Sequence, residues 1–204
     1  GFVMDEQGRK MSKSLGNTTA PQDVIKQSGS EILRLWVSMV DYRYDMNIGK
    51  EVMARTVESY RKIRNVIRVL VANLYDFDPE SMMVPVDQLL PVDRWILDRA
   101  ARAFERCRQG YEDYEFHVVY HRIVDFSTVD VSALYVDVSK DTMYCEGPHS
   151  RARRSAQTAM YTILRGLVST IAPIVSFTAE EIFEAMPGTK EASVHLTELP
   201  NLQA

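Results

Sequence analysis

A mainly α-helical fold is expected, an antiparallel helical bundle preceded by a short strand, a loop and a pair of helices. Three observations predict it. Apolar residues recur at intervals of three and four through most of the 204 residues, the mark of helices that bury one face. Pro21, Pro91, Pro173 and Pro187 stand where those periodic runs start or stop. Only residues 2–4 read as a strand.

The elements follow in chain order. Residues 2–4 and the turn Asp5-Glu6-Gln7-Gly8 make a strand and turn, with Gly8 supplying the permissive backbone. Pro21 opens a helix to about Gln27 that Gly29 closes, and Ser30-Glu31 starts another carrying Ile32, Leu33, Leu35, Trp36 and Val40. Residues 41–48 lack a helical period and are taken as a boundary. A long helix should follow. Val52, Val57, Tyr60, Ile63, Ile67, Leu70, Val71 and Leu74 form its apolar stripe, and Arg61, Arg64 and Arg68 form a basic ridge beside it. After a loop over 76–90, a helix runs from Pro91 to near Gly110 with Trp95, Ile96, Leu97, Ala101 and Phe104 inward.

A third helical region covers 114–138, with Val131, Leu134, Tyr135 and Val138 in its apolar set and a break or new cap expected at Ser127-Thr128. The last long helix spans 150–171, and Pro173 ends it because proline lacks an amide hydrogen. Thr178-Ala179-Glu180-Glu181 has the spacing of a capping box opening a short helix to Met186. The chain thus divides into a front segment at 1–48, a bundle at 49–187 and a tail at 188–204.

Composition excludes several classes. With 46% hydrophobic and 25% charged residues the chain has the balance of a soluble globular protein rather than a disordered one. Its longest apolar run, 163–175, is interrupted by Arg165 and Pro173, so no membrane span is expected. Cys107 and Cys145, far apart and outside any Cys-x-x-Cys pairing, argue against a disulfide framework or a zinc site and fit reduced thiols in a cytosolic protein. The opening residues lack the features of a signal peptide. The missing initial Met, with a motif inside the first ten residues, suggests a piece of something longer.

The net charge of −4 does not announce a nucleic-acid binder, but the charges are sorted. Residues 49–72 hold six basic side chains against two acidic ones, and residues 147–179 hold Arg151, Arg153, Arg154 and Arg165 with no acid. That distribution permits one face to bind a polyanion while the whole stays acidic.

The sharpest signal is Lys10-Met11-Ser12-Lys13-Ser14 followed by Leu15-Gly16-Asn17. It places two lysines three residues apart in a run of small residues, so both ammoniums can turn toward one polyanion. The string resembles the second signature of class I aminoacyl-tRNA synthetases. Further matches, among them Ile32-Leu33-Arg34-Leu35-Trp36-Val37, Tyr60-Arg61-Lys62-Ile63-Arg64-Asn65, Asp93-Arg94-Trp95, Tyr114-Glu115-Phe116-His117 and Phe177-Thr178-Ala179-Glu180-Glu181, make the chain similar to the bacterial-type isoleucyl-tRNA synthetases over essentially its whole length.

The resemblance implies a role for each matching position. Residues 1–48 would be the end of a catalytic domain, and 49–187 a bundle of the anticodon-binding type. The loop would close over ATP as an amino-acid carboxylate attacks the α-phosphorus and pyrophosphate leaves. Lys13 would stabilise the developing charge, Lys10 would assist with the phosphates, the backbone at Met11 would lie near the adenine, and Ser12 and Ser14 would position the loop. This is electrostatic stabilisation and needs no general base. Arg61, Arg64 and Arg68 would contact tRNA phosphates. The resemblance further implies ATP with Mg2+, isoleucine and isoleucine tRNA as partners, a monomer, the cytoplasm as location, and zinc only in a region outside this chain.

The first class I signature, the isoleucine pocket, the editing domain and the zinc-binding region have no counterpart here, so the isolated chain is expected to be inactive. Alternatives are a valyl- or leucyl-tRNA synthetase fragment, or a non-enzymatic helical RNA-binding module. His117 and His121, four apart, are assigned to helix packing rather than metal binding. Trp36 and Trp95 are assigned to the core, and Asp93-Arg94 to a local salt bridge.

Overall fold

The computed structural model describes residues 1–202. At the front, β1 (Val3–Met4) pairs in parallel with β2 (Met46–Asn47), Val3 opposite Met46 and Met4 opposite Asn47. The second strand is absent from the sequence expectation because two residues are too few to show an alternation. Between the strands lie α1 (Pro21–Ser28) and α2 (Ser30–Met39). They join at Gly29, whose φ of +88° admits few residues other than glycine. Val24, Trp36 and Ile48 form a small core against which Val3, Met11 and Met46 pack.

The bundle follows with α3 (Lys50–Ala72), the one-turn α4 (Pro79–Met82), α5 (Pro91–Glu112), α6 (Phe116–Asp125), α7 (Asp137–Cys145), α8 (Arg151–Ile171) and α9 (Ser176–Ala185). Helices α6 and α7 are one continuous rod joined through a π-helical stretch, Phe126–Val136. Ser127-Thr128 does not break it, since the Thr128 hydroxyl donates back to the Val124 carbonyl at 2.8 Å. The wider π turn shifts the burial period. Phe126, Asp130, Val131 and Tyr135 face inward at intervals of four and five, while Leu134 and Val138, apolar by α spacing, are 46% and 62% exposed.

Helix α8 is the axis of the bundle. From residue 155 to residue 171 it is buried except at Thr162 and Arg165. Its buried polar side chains would be costly without partners. They find them at the ends of other helices. Ser155 Oγ accepts the Leu90 N–H at 2.8 Å at the start of α5, and Gln157 Nε2 donates to the Asn73 carbonyl at 2.9 Å at the end of α3. Thr158 Oγ1 accepts the Val84 N–H at 3.0 Å in the intervening loop. Leu90 and Asn73 are the terminal residues of helices whose end groups lack intrahelical partners, so α8 supplies the caps.

Asp93 is likewise drawn inward. It is buried, accepts from Tyr135 Oη at 2.6 Å and from Ser155 Oγ, and makes no bond to Arg94. The expected local salt bridge is absent because the carboxylate sits on the inner face of α5 and Arg94 on the outer. Burial raises the Asp93 pKa against the opposing pull of those two hydroxyl donors. Trp36 lies in the small core, but Trp95 is 41% exposed on the outer face of α5, contrary to expectation.

The helix α9 begins at Ser176, two residues before the expected capping box, and its own residues do not close that box. Glu31 of α2 takes the role. Its Oε1 accepts the N–H groups of Phe177 and Thr178 at 2.8 and 3.0 Å, and its Oε2 accepts from Thr178 Oγ1. One turn along α2, Arg34 donates to the carbonyls of Ile174 and Pro173 at 2.8 and 2.7 Å, just past the end of α8. A carboxylate on a helix N-terminus and a guanidinium near a helix C-terminus both match the local dipoles.

Two substitutions test this architecture. Glu31→Ala should lower the unfolding free energy in urea by about 1–2 kcal/mol through loss of a cap; an unchanged midpoint would show that water caps α9 equally well. A Cβ on Gly166 would lie 2.2 Å from the Phe104 ring, which is itself enclosed beside Phe126. Gly166→Ala should therefore cost about 1–2 kcal/mol, overpacking exceeding the helix propensity alanine gains. A variant more stable than the parent would mean that Phe104 can retreat.

Candidate functional site

The front loop is built around two residues, Asp5 and Asn17. Met4 forms an antiparallel bridge with Lys10, and the turn between them is held by Asp5, which accepts from the N–H groups of Gln7 and Arg9 at 3.0 and 2.8 Å and from Arg9 Nε at 2.9 Å. Asn17 Nδ2 donates to Asp5 Oδ2 at 2.9 Å and to the Lys10 carbonyl at 3.3 Å, while its Oδ1 accepts the Ser12 N–H at 2.9 Å. One carboxamide thus ties both shoulders of the Lys10-Met11-Ser12 stretch to the buried carboxylate. The Asn17 hydrogen bond, ahead of the Arg9 amide, brings Asp5 down to a pKa of about 2. A depressed carboxylate pKa stabilises the turn above the ordinary carboxylate range, and that contribution is lost as the pH falls toward 2.

On this base the loop residues take different orientations. Met11 packs against the small core, anchoring the loop from below. The Ser12 hydroxyl accepts the Leu15 N–H at 3.3 Å, lies 3.2 Å from Ser14 Oγ, and caps a single 3-10 turn, Lys13–Leu15. Gly16, at φ +64°, ends that turn with its N–H on the Lys13 carbonyl. Lys10, Lys13 and Ser14 are all exposed; Lys10 sits with its Nζ 5.5 Å from the centroid of the Phe2 ring, and Lys13 forms no ion pair among the described residues. The loop therefore presents a free ammonium, two hydroxyls and a second ammonium on one flank, an arrangement suited to phosphoryl oxygens. Asp5 was not singled out from sequence, and Asn17 only as a trailing residue; an Asp opening a turn that ends in glycine was the available clue.

The expected basic ridge on α3 is present and exposed, but its members do not face one space. Arg61 lines an open groove with Arg9, Asn17 and Thr18 at the back of the loop, and it also lines a second groove with Arg64, Asn65 and Phe177. Arg68 points into the furrow between α3 and α9 beside Ile182. Arg64 Nη2 is 3.8 Å from Glu181 Oε1, a loose pair between exposed side chains worth little in water. The other basic run is divided between buried and exposed side chains. Arg153 and Arg154 turn inward onto Asp76 at 3.0 and 3.7 Å, Arg151 donates to the Gln88 carbonyl, and Arg165 pairs with Glu191. Burial of Asp76 opposes its ionisation, but the hydrogen bonds from Arg153 and Gln157, with the charge of both arginines, leave its pKa lowered.

His117 and His121 do not converge. His117 Nε2 lies 4.0 Å from Asp41 Oδ2, and the His121 ring meets Tyr120 edge-on. Among the described residues, no group of three or more His, Cys, Asp or Glu is placed to hold a metal ion, and no helix is long and apolar enough to cross a membrane.

Known proteins resemble this arrangement throughout. The chain is 52% identical to the isoleucine–tRNA ligase of Syntrophotalea carbinolica over 97% of its length and 50% identical to that of Carboxydothermus hydrogenoformans over 100%, yet spans only 21% and 22% of those relatives. In structure it is similar to a LeuRS–tRNA–LeuAMS ternary complex from Agrobacterium radiobacter K84, with a TM-score of 0.75 at 20% identity over 99% of this chain and 23% of that one. It is also similar to Mycobacterium tuberculosis methionyl-tRNA synthetase in complex with methionyl-adenylate, with a TM-score of 0.74 at 19% identity over 90% of this chain and 36% of that one. These two likenesses speak for the fold. The family of class I tRNA synthetases for I, L, M and V matches residues 1–49, and the anticodon-binding domain of tRNA ligase matches residues 93–204. With its larger part matched by the second of these and its capped helical bundle intact, the chain belongs to the family of the anticodon-binding domain of tRNA ligase.

Proposed function

We propose that this chain is the part of an isoleucine–tRNA ligase that joins the ATP-phosphate loop to the tRNA-docking bundle. In the longer enzyme, isoleucine would be activated with ATP and passed to isoleucine tRNA. In this reading residues 1–48 belong to the catalytic domain, 49–187 form the bundle and 188–204 are a tail, with Gln203 and Ala204 outside the described residues. The observation that carries the reading is the loop geometry: Asn17 and Asp5 lash down the Lys10 and Ser12 backbone, while Lys13 has no ion pair among the described residues. The choice of isoleucine rests on the names of the similar proteins.

In this reading Lys13 Nζ meets the negative charge that develops on the phosphates as the isoleucine carboxylate displaces pyrophosphate, and Lys10 supports it from the side. Ser12 and Ser14 hold the turn, and the Met11 side chain keeps the loop on its base while its backbone lies near the adenine. Charge stabilisation in a closing site, without proton transfer, is the whole contribution of the loop. Mg2+ accompanies the ATP, and zinc belongs to a region outside this chain. Arg61, Arg64 and Arg68 contact tRNA phosphates, which orient the RNA without reading its sequence. The enzyme is a cytoplasmic monomer, and this chain alone is inactive because the other catalytic residues lie elsewhere.

Lys13→Ala in the full-length enzyme should slow isoleucine-dependent exchange of pyrophosphate into ATP by roughly 10²–10³-fold, the size of losing one preorganised charge donor. Binding of tRNA should be unchanged. An exchange rate equal to the parent's would remove Lys13 from the chemistry, and exchange supported better by valine or leucine would replace the isoleucine assignment.

A further inference from the structure

We propose that the groove between the α1–α2 turn, α3 and α9 receives one unpaired RNA nucleotide, its base stacked on Phe177 and its flanking phosphates held by Arg61 and Arg64. The inference rests on the tRNA-docking reading above and adds to it a site for a base.

Phe177 is 74% exposed although Thr178, Ala179 and Phe183 of the same helix are buried. It occupies the second position of α9, and its N–H is accepted by Glu31 at 2.8 Å, so the ring projects from backbone fixed by a neighbouring helix. Tyr60, Arg61, Arg64 and Asn65 line the same groove. Arg61 forms no ion pair among the described residues, and Arg64 has only its loose contact with Glu181. Among the described residues lining the groove, Glu31 is the one carboxylate; it is turned onto the start of α9 by two backbone N–H groups and the Thr178 hydroxyl, and the guanidiniums of Arg61 and Arg64 outnumber it.

An aromatic face beside two guanidiniums and a carboxamide fits a nucleotide in three respects. The ring offers a stacking platform, the arginines offer donors to phosphate oxygens, and Asn65 carries both a donor and an acceptor for a base edge. A base inside a duplex has no free face, so the occupant is unpaired or turned out of its helix. An acidic peptide could satisfy the arginines but would leave the ring without a planar partner.

The test is equilibrium binding of an isoleucine tRNA transcript to this chain across a salt series, comparing the parent with Phe177→Ala, Phe177→Trp and Arg61→Gln. Phe177→Ala should weaken binding roughly 5- to 150-fold, the range for one base on one ring, with an unchanged salt slope. Phe177→Trp should retain affinity. Arg61→Gln should weaken binding and reduce the salt slope by about one. Phe177 is exposed, so its replacement removes no core packing, and an unchanged thermal midpoint verifies this. Full affinity in Phe177→Ala with loss in Arg61→Gln would overturn the stacking site while leaving the phosphate ridge in place. Full affinity in both would overturn the docking reading of this groove as well.

Discussion

Glu31 and Arg34, one turn apart on α2, hold the point on which the remaining arrangement depends. Pro173 stops α8 and leaves carbonyls without partners, and α9 starts three residues later with free N–H groups. A carboxylate that accepts from the first N–H groups of the new helix and a guanidinium that donates to the Pro173 and Ile174 carbonyls of the link hold this corner. Because the two side chains belong to the front segment, the corner of the bundle and the platform under the loop become one structure. Leu35, next to Arg34, is buried in the main core rather than in the small one. The groove at Arg61 and Phe177 exists because this corner is closed.

The same physical logic recurs around α8. Ser155, Gln157 and Thr158 would be poor choices for a buried helix if burial were only a matter of apolar area. Each instead answers an unpaired backbone group on α3, α5 or the loop between them. Helix ends are where an isolated helix is least satisfied, so capping them from a central helix makes the bundle cooperative. Asp93 and Tyr135 extend the pattern, linking the first turn of α5 to the π-helical stretch through a buried hydrogen bond.

Charge is divided in a way the linear order conceals. Arg153 and Arg154 of α8 are structural, drawn inward onto Asp76, whereas Arg61 and Arg68 on α3 stay in solvent without ion pairs among the described residues. Two runs of similar basic composition therefore differ in availability. The front loop shows the converse economy: its polar backbone is satisfied by Asp5 and Asn17, so Lys13 is left free for an external anion.

The sequence by itself determined the helical class, the approximate limits of α1, α2, α3, α5 and α8, and the loop from Lys10 to Ser14. Those features rest on local periodicity, on proline and glycine, and on a contiguous motif, all of which are written along one segment. The partners of helix ends belong to tertiary structure. Nothing near Thr178 reveals that Glu31 caps it, and nothing near Ser155 reveals Leu90, because such contacts join residues distant in sequence. The π-helical stretch is likewise invisible in the sequence, because a 3.6-residue period places Leu134 and Val138 inside whereas burial there follows intervals of four and five. Trp95 stands outside the core for a related reason: side-chain type states what a residue can do, but only packing decides which face of the helix meets water.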